Sequence, residues 1–248
     1  MLLYGLTDCG MYRKQNEDYY TAAAWRHKDG FYLGVVCDGM GGAKGGALAS
    51  RTATEAFVAS MQEDGSGVER AMRHALRRAN TAVYKKAYEG TERMDGMGTT
   101  LVAAVANEDT VCVLHVGDSR AYLLHNGTLF RLTEDHSYVM ALVGEGKLSE
   151  AEAEKSPMRN IITRAVGVKD KVEGDIGAFI WSEGDRLLLC TDGLSGAVKE
   201  SEIWDILSED KDISQVAHEL VSAAEFGGSE DNITVLLIEN KKETIPND

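Results

Sequence analysis

The 248-residue sequence predicts an α+β fold in which helices pack on antiparallel sheets. Three observations lead there. Helical patterns come in consecutive groups, and strand patterns come in consecutive groups of their own. The strand patterns between residues 99 and 125 are separated by turn sequences too short for a crossover helix, so neighbours pair antiparallel. The 26 glycines cluster at element ends, as a chain with many tight turns requires.

The elements follow in order. Residues 31–37 form a short apolar run that reads as a buried strand and ends at Asp38-Gly39. A helix is expected over about 43–61, rich in small residues at its start. A second is expected over 68–88, where Val68, Ala71, Met72, Ala75, Leu76, Ala79 and Val83 recur at three- and four-residue spacing. Arg70, Arg73, Arg77, Arg78, Lys85 and Lys86 decorate the rest of it as a solvated face. Strands are expected at 99–106, 110–116 and 121–125, with Asn107-Glu108-Asp109 and Asn126-Gly127 as hairpin signals. Residues of about 137–160 lose strand character and read as a mobile excursion with one short helix, 149–155. Strands return at 174–181 and 185–190. Helices near 200–207 and 213–226 precede a last strand at 233–239. No repeat or linker interrupts the chain, so a single domain over 1–240 is expected, followed by a polar tail, 241–248.

Composition narrows the function. A net charge of −14 argues against a nucleic-acid binder or an anionic-membrane binder. No run approaches the roughly 18 apolar residues of a membrane span, and the N-terminus lacks a charged leader pattern, so a cytoplasmic protein is expected. The cysteines Cys9, Cys37, Cys112 and Cys190 form no C-x-x-C pair, and three lie in apolar runs. They read as small core hydrophobes, without a disulfide framework or a zinc site.

Two Asp-Gly pairs carry most of the functional information. Asp38-Gly39 and Asp192-Gly193 each end a short apolar run, and Asp231 directly precedes another. A carboxylate where a buried strand opens into a turn is costly to desolvate unless a cation binds it. Strand-end aspartates far apart in sequence point to a hard-metal site of oxygen ligands. Residues 39–44 follow a strand and open a helix, yet G-x-G-x-x-G fails at Lys44, and no G-x-x-x-x-G-K-[ST] occurs. An aspartyl-phosphate D-x-D pattern fails at Val36. The loop is better used as a metal grip: the Asp38 carboxylate plus the Gly39 carbonyl, with glycines permitting close approach. Arg13 to Asp18 alone reads as a polar turn. Beside those aspartates, Arg13 offers a planar fork for phosphate oxygens, and Glu17 and Asp18 can hold metal-bound waters. Gly117-Asp118-Ser119-Arg120 reads as a tight turn linking two hairpin strands, with Asp118 another acid at a strand end.

Taken together, Arg13…Glu17-Asp18, Val36-Cys37-Asp38-Gly39-Met40-Gly41-Gly42, Gly98-Thr99-Thr100, Gly117-Asp118-Ser119-Arg120, Leu132-Thr133-Glu134-Asp135-His136-Ser137, Ile162-Thr163-Arg164-Ala165-Val166-Gly167, Thr191-Asp192-Gly193-Leu194 and Asp231-Asn232-Ile233-Thr234 resemble the metal-dependent protein Ser/Thr phosphatases of type 2C, in their stand-alone bacterial branch. Order and spacing agree from about residue 4 to 239. The resemblance implies two antiparallel sheets packed as a sandwich with helices on both sides, four layers in all. It implies two Mn2+ or Mg2+ ions and a third beside them. Asp38 would bridge two ions, Gly39 would give its carbonyl to one, and Asp192 and Asp231 would hold the other. Glu17 and Asp18 would act through water, Arg13 would bind the substrate phosphate, and Asp118 would hold the third ion with Asp192. Residues of about 137–160 would be a flap beside the site.

The implied reaction is hydrolysis of phosphoserine or phosphothreonine by an activated water, in line and without a covalent intermediate. The implied partners are phosphorylated proteins, including a cognate Ser/Thr kinase, met by a monomer with no nucleic acid and no membrane. On so acidic a chain, positive charge for a phosphate ester has to come from the ions and a few basic side chains. Met40 stands where many eukaryotic relatives carry a histidine, so the proton donor to the leaving group is unassigned, with a metal-bound water as the candidate. His136 reads as structural, and His27, His74, His115, His125 and His218 have no motif context. Two other classes stay open at this level: a non-catalytic binding module on the same fold, and a hydrolase of small phosphate esters.

Overall fold

Strands that are apolar on both faces need cover on both faces, and that requirement sets the architecture. The computed structural model describes residues 1–25, 30–89 and 94–241; His27 and all but the first residue of the expected tail lie outside them. In chain order the elements are β1 (Leu2–Asp8), β2 (Asp18–Ala24), β3 (Tyr32–Met40), α1 (Gly42–Glu63), α2 (Val68–Tyr88), β4 (Gly98–Thr99), β5 (Leu101–Ala106), β6 (Thr110–Val116), β7 (Arg120–His125), β8 (Thr128–Arg131), α3 (Tyr138–Gly144), α4 (Glu150–Glu154), β9 (Asp175–Ile180), β10 (Arg186–Cys190), α5 (Asp192–Ser195), α6 (Glu200–Ser208), α7 (Ile213–Phe226) and β11 (Ile233–Glu239).

One sheet runs β1-β11-β10-β7-β8; the other runs β2-β3-β5-β6-β9, with β4 added beside β3. All pairings are antiparallel. Strand alternation then sorts the side chains into three cores. Along β3, Leu33, Val35 and Cys37 join Phe57, Met61, Met72 and Leu76 of α1 and α2. Val36 points the other way and meets Val102, Leu187, Leu189, Leu236 and Ile238 between the sheets. Leu188, Cys190, Val235 and Leu237 pack against Ile203 of α6 and Val216 and Leu220 of α7. The result is the expected four-layer sandwich. Gly34 faces the other sheet at close range; a Cβ there would come within 2.7 Å of Leu236 Cδ2.

Three expectations need correction. Gly117–Ser119 is no hairpin turn, because β6 belongs to one sheet and β7 to the other. Packed sheets stand only about 10 Å apart, so a three-residue link crosses between them as easily as it reverses within one. Gly117 takes φ 103° to make that crossing. The 137–160 stretch holds two short helices, α3 and α4, rather than one. Cys9 and Cys112 are only half-buried, while Cys37 and Cys190 are core residues; all four are free thiols. Among the described residues no helix is long and apolar enough to cross a membrane.

Leu189 is fully buried between the sheets. Leu189→Ala is expected to lower unfolding free energy by about 2–5 kcal/mol, measured by chemical denaturation. Phe130, half exposed on β8, serves as the control: Phe130→Ser should change it far less.

Candidate metal centre

The β2–β3 register sets Asp18 opposite Asp38. In the other sheet, the last residue of β10, Cys190, stands opposite Val235 of β11 and Arg120 of β7. Asp192, Asp231 and Asp118 therefore gather where Asp38 ends β3. At this end the chain crosses between sheets from β1 to β2 and from β6 to β7, as well as from β8 to β9. The first of these carries Arg13 and Glu17, and the second carries Asp118.

Hydroxyls hold the acids in place. One oxygen of the buried Asp18 carboxylate accepts from Thr191 Oγ1 at 2.9 Å and from Thr234 Oγ1 at 2.7 Å, which ties β2 to the opposite sheet. Asp38 N–H donates to Thr100 Oγ1 at 2.9 Å. The Asp38 carbonyl accepts from Thr99 Oγ1 at 2.7 Å and from Thr100 N–H at 2.8 Å. Thr100 Oγ1 also lies 2.7 Å from Ser119 Oγ, joining the Asp38 strand to the Asp118 crossing. Gly39 N–H donates to the Glu17 carbonyl at 3.1 Å. A Cβ on Gly39 would collide with the Gly46 carbonyl, and one on Gly46 would come within 2.6 Å of the Glu17 carboxyl. Those two glycines let α1, β3 and Glu17 close on one another.

Arg13 is half exposed and gripped from β11's approach. Its Nη2 donates to Asp231 Oδ2 at 2.7 Å and its Nε to the Glu230 carbonyl at 3.1 Å. Asn232 clamps the same crossing: its Oδ1 accepts from Glu17 N–H at 2.8 Å, and its Nδ2 donates to the Cys9 and Gln15 carbonyls at 2.9 and 3.0 Å.

A family model, protein phosphatase 2C, matches residues 13–225. Over 238 residues the chain is 40% identical to the serine/threonine phosphatase stp of Listeria welshimeri, covering 94% of this chain and 93% of that one. The chain belongs to the protein phosphatase 2C family. The crystal structure of the Mycobacterium tuberculosis serine/threonine phosphatase PstP/Ppp matches this 2C phosphatase with a TM-score of 0.88 at 33% identity, over 97% of this chain and 99% of that one. A structure of the PstP catalytic domain in complex with two manganese ions matches with a TM-score of 0.84 at 33% identity, over 96% and 97% of the two chains. The family is one of metal-dependent hydrolases that act as protein phosphatases.

The acids of this phosphatase are built for cations. Burial first, and then Asp18, Asp192, Asp118 and Asp231, hold the Asp38 carboxyl well above the usual carboxylate range. Burial likewise pushes Asp18 and Asp118 up to about 7, with Asp192 adding to both. Asp192 is raised by burial and by Asp231. Glu17 is raised by burial, against the pull of Arg13. Asp192 Oδ1 is buried with no hydrogen-bond partner. An unsatisfied carboxylate oxygen among mutually repelling acids fits a hard divalent ion, and the donors are all oxygen.

Every site residue expected from the sequence thus comes to this end. Thr191, Thr234, Thr100 and Asn232 were given no role in that reading, although each sits inside a quoted motif. Their signal is a polar side chain in or beside an otherwise apolar strand, where burial demands a partner.

A buried acid with a raised pKa subtracts stability as pH climbs from its unfolded value, near 4, through its folded one. Asp18 and Asp118 place that loss between about pH 4 and about pH 7. In EDTA at about pH 7.5, Asp38→Asn is expected to melt several degrees above the unsubstituted protein, and the gap to shrink at about pH 5. Added Mg2+ should raise the unsubstituted melting temperature more at the higher pH. Scanning calorimetry reads both; a lower-melting variant in EDTA at the higher pH contradicts this account.

Proposed function

We propose that this 2C phosphatase hydrolyses phosphoserine and phosphothreonine in proteins at a centre of two Mn2+ or Mg2+ ions, with a third ion beside them. The observation that carries this reading is the convergence of Asp18, Asp38, Asp118, Asp192 and Asp231 with Arg13 at one end of the sandwich, where burial and repulsion raise Asp18, Asp38, Asp118 and Asp192 together. Asp38 and the Gly39 carbonyl, with Asp192 and Asp231, would hold the pair of ions; Asp118 and Asp192 would hold the third. Glu17 and Asp18 would act through water. The two manganese ions in the PstP structure support this assignment. Ions held by this set supply Lewis acidity toward phosphoryl oxygens and acidify a water.

The chain's own residues do the rest. Asp231 and the Glu230 carbonyl aim Arg13, whose remaining N–H groups are suited to phosphate oxygens. Water attacks phosphorus in line, with positioning and electrostatics supplying most of the rate. A covalent cysteine route finds no support: burial pushes the thiols of Cys37 and Cys190 up to about 12. Met40 has no proton to give the leaving alkoxide. The protein acts as a monomer and a single domain, with residues 137–160 as a flap, on cytoplasmic phosphoproteins that a Ser/Thr kinase has modified.

A phosphothreonine peptide should be hydrolysed with Mn2+ and not in excess EDTA. Asp38→Asn should cut kcat by about 10²–10³-fold or more while the fold persists. Arg13→Ala should raise KM more than it lowers kcat. A metal-independent rate, or faster turnover of small phosphate esters than of phosphopeptides at matched concentration, would overturn the proposal.

A further inference from the structure

His136 is buried, 6% exposed, and meets both polar groups of the residue before Asp118. Its backbone N–H donates to the Gly117 carbonyl at 2.9 Å. Its ring Nδ1 lies 3.1 Å from Gly117 N. A backbone N–H can only donate, so Nδ1 is bare and the ring proton sits on Nε2. Nε2 in turn donates to Asp175 Oδ2 at 3.2 Å; Arg164 Nη1 lies 3.1 Å from the same Nε2 and directs its proton to Asp175 Oδ1 at 2.9 Å. His115 stacks on the ring with centroids 4.5 Å apart, and its own Nε2 donates to the Glu134 carbonyl at 2.8 Å. Burial lowers the pKa of both imidazoles, which favours the neutral rings these bonds require.

His115, His136 and Asp175 bring ligand-type atoms within 4.8 Å of one another, a spacing that also suits a metal ion. The hydrogen bonds decide otherwise. Nδ1 of His136 is occupied by a donor and Nε2 carries the proton, so His136 has no free lone pair for a cation. The trio is a lock on one tautomer.

The backbone of His136 faces a second element. Its carbonyl accepts from Thr163 N–H at 2.7 Å and from Thr163 Oγ1 at 3.0 Å. Ser137 bridges to Ile162, and Tyr138 N–H donates to the Ile161 carbonyl at 2.7 Å. Both ends of the 137–163 excursion therefore close on this residue. On its far side, the Gly117 crossing is hemmed in by Thr100: a Cβ on Gly117 would come within 2.7 Å of Thr100 Cγ2.

We propose that His136 is a positioning residue for Asp118: its Nδ1 fixes the Gly117 peptide and ties that crossing to the base of the flap. The inference rests on the reading of Asp118 as a ligand of the third ion. Asp118 is buried and repelled by Asp192, so its carboxylate stays where an ion needs it only if the backbone beneath it cannot yield. Partners of this kind, one step removed from a ligand, typically change metal affinity by about 10–100-fold.

Asn and Leu have the same shape, and both lack the ε nitrogen; only Asn keeps an acceptor at the δ position. Calorimetric titration with Mn2+ alone is therefore run on the unsubstituted protein, Asp118→Asn, His136→Asn and His136→Leu. The expected result is weakening of the last class of Mn2+ sites by about 10–100-fold in His136→Leu, with His136→Asn within about threefold of the unsubstituted protein and the tighter sites unchanged in both. Equal behaviour of the two His136 variants would overturn the proposal. If Asp118→Asn titrates like the unsubstituted protein, Asp118 is no ligand, and the proposal falls while the two-ion reading stands. Should His136→Leu fail to fold, amide exchange at Gly117 decides: protection in the unsubstituted protein and His136→Asn supports the lock, and rapid exchange in the unsubstituted protein overturns it.

Discussion

Mutual repulsion among buried carboxylates is the constraint around which this molecule is arranged. Four aspartates and their neighbours are pressed together at one end of a sandwich, in surroundings that disfavour their charge. Such a cluster persists only if its backbone is held by forces that do not depend on the carboxylates themselves. The three apolar cores provide that frame, because β3, β10 and β11, which lead into the site, are packed on both of their faces. The site thus inherits its geometry from packing and its charge from imbalance.

Asp38 is held through its backbone N–H and carbonyl. Asn232 orders the Arg13 crossing through backbone groups. Asp18 and Asp231 are held by their carboxylates instead: one Asp18 oxygen is engaged by two threonine hydroxyls from the facing sheet, and the two Asp231 oxygens accept from Arg13 Nη2 and from Asn232 N–H. At Asp38 the labour is divided, with neutral hydroxyl and amide groups positioning the backbone.

Much of this was legible in the sequence, for physical reasons that differ by element. β3, β10 and β11 stand out because strands covered on both faces are continuously apolar, and α2 because one face alone is covered. Asp38, Asp192 and Asp231 stand out because an acid at the end of such a strand has no cheap alternative to binding something positive. β1 was silent, since its residues are only half-buried and carry no strong pattern. The Gly117 crossing was misread because a short polar link looks the same whether it turns within a sheet or passes between two. Thr234 had no readable partner, as Asp18 lies 216 residues away, and nothing in local spacing foretells a bond of that range.

The place of β11 has a consequence for how the protein is made. It is the last strand in chain order, yet it lies between β1 and β10, and β1 pairs with no other strand. Of the described strands β1 is the first to be synthesised, and it stays without its partner until β11 has left the ribosome. Asp231 and Asn232 arrive with that same strand. The full set of acids therefore comes together only once β11 has joined the sheet between β1 and β10. On the proposed reading of those acids, cation binding, and with it activity, waits for the sheet to close.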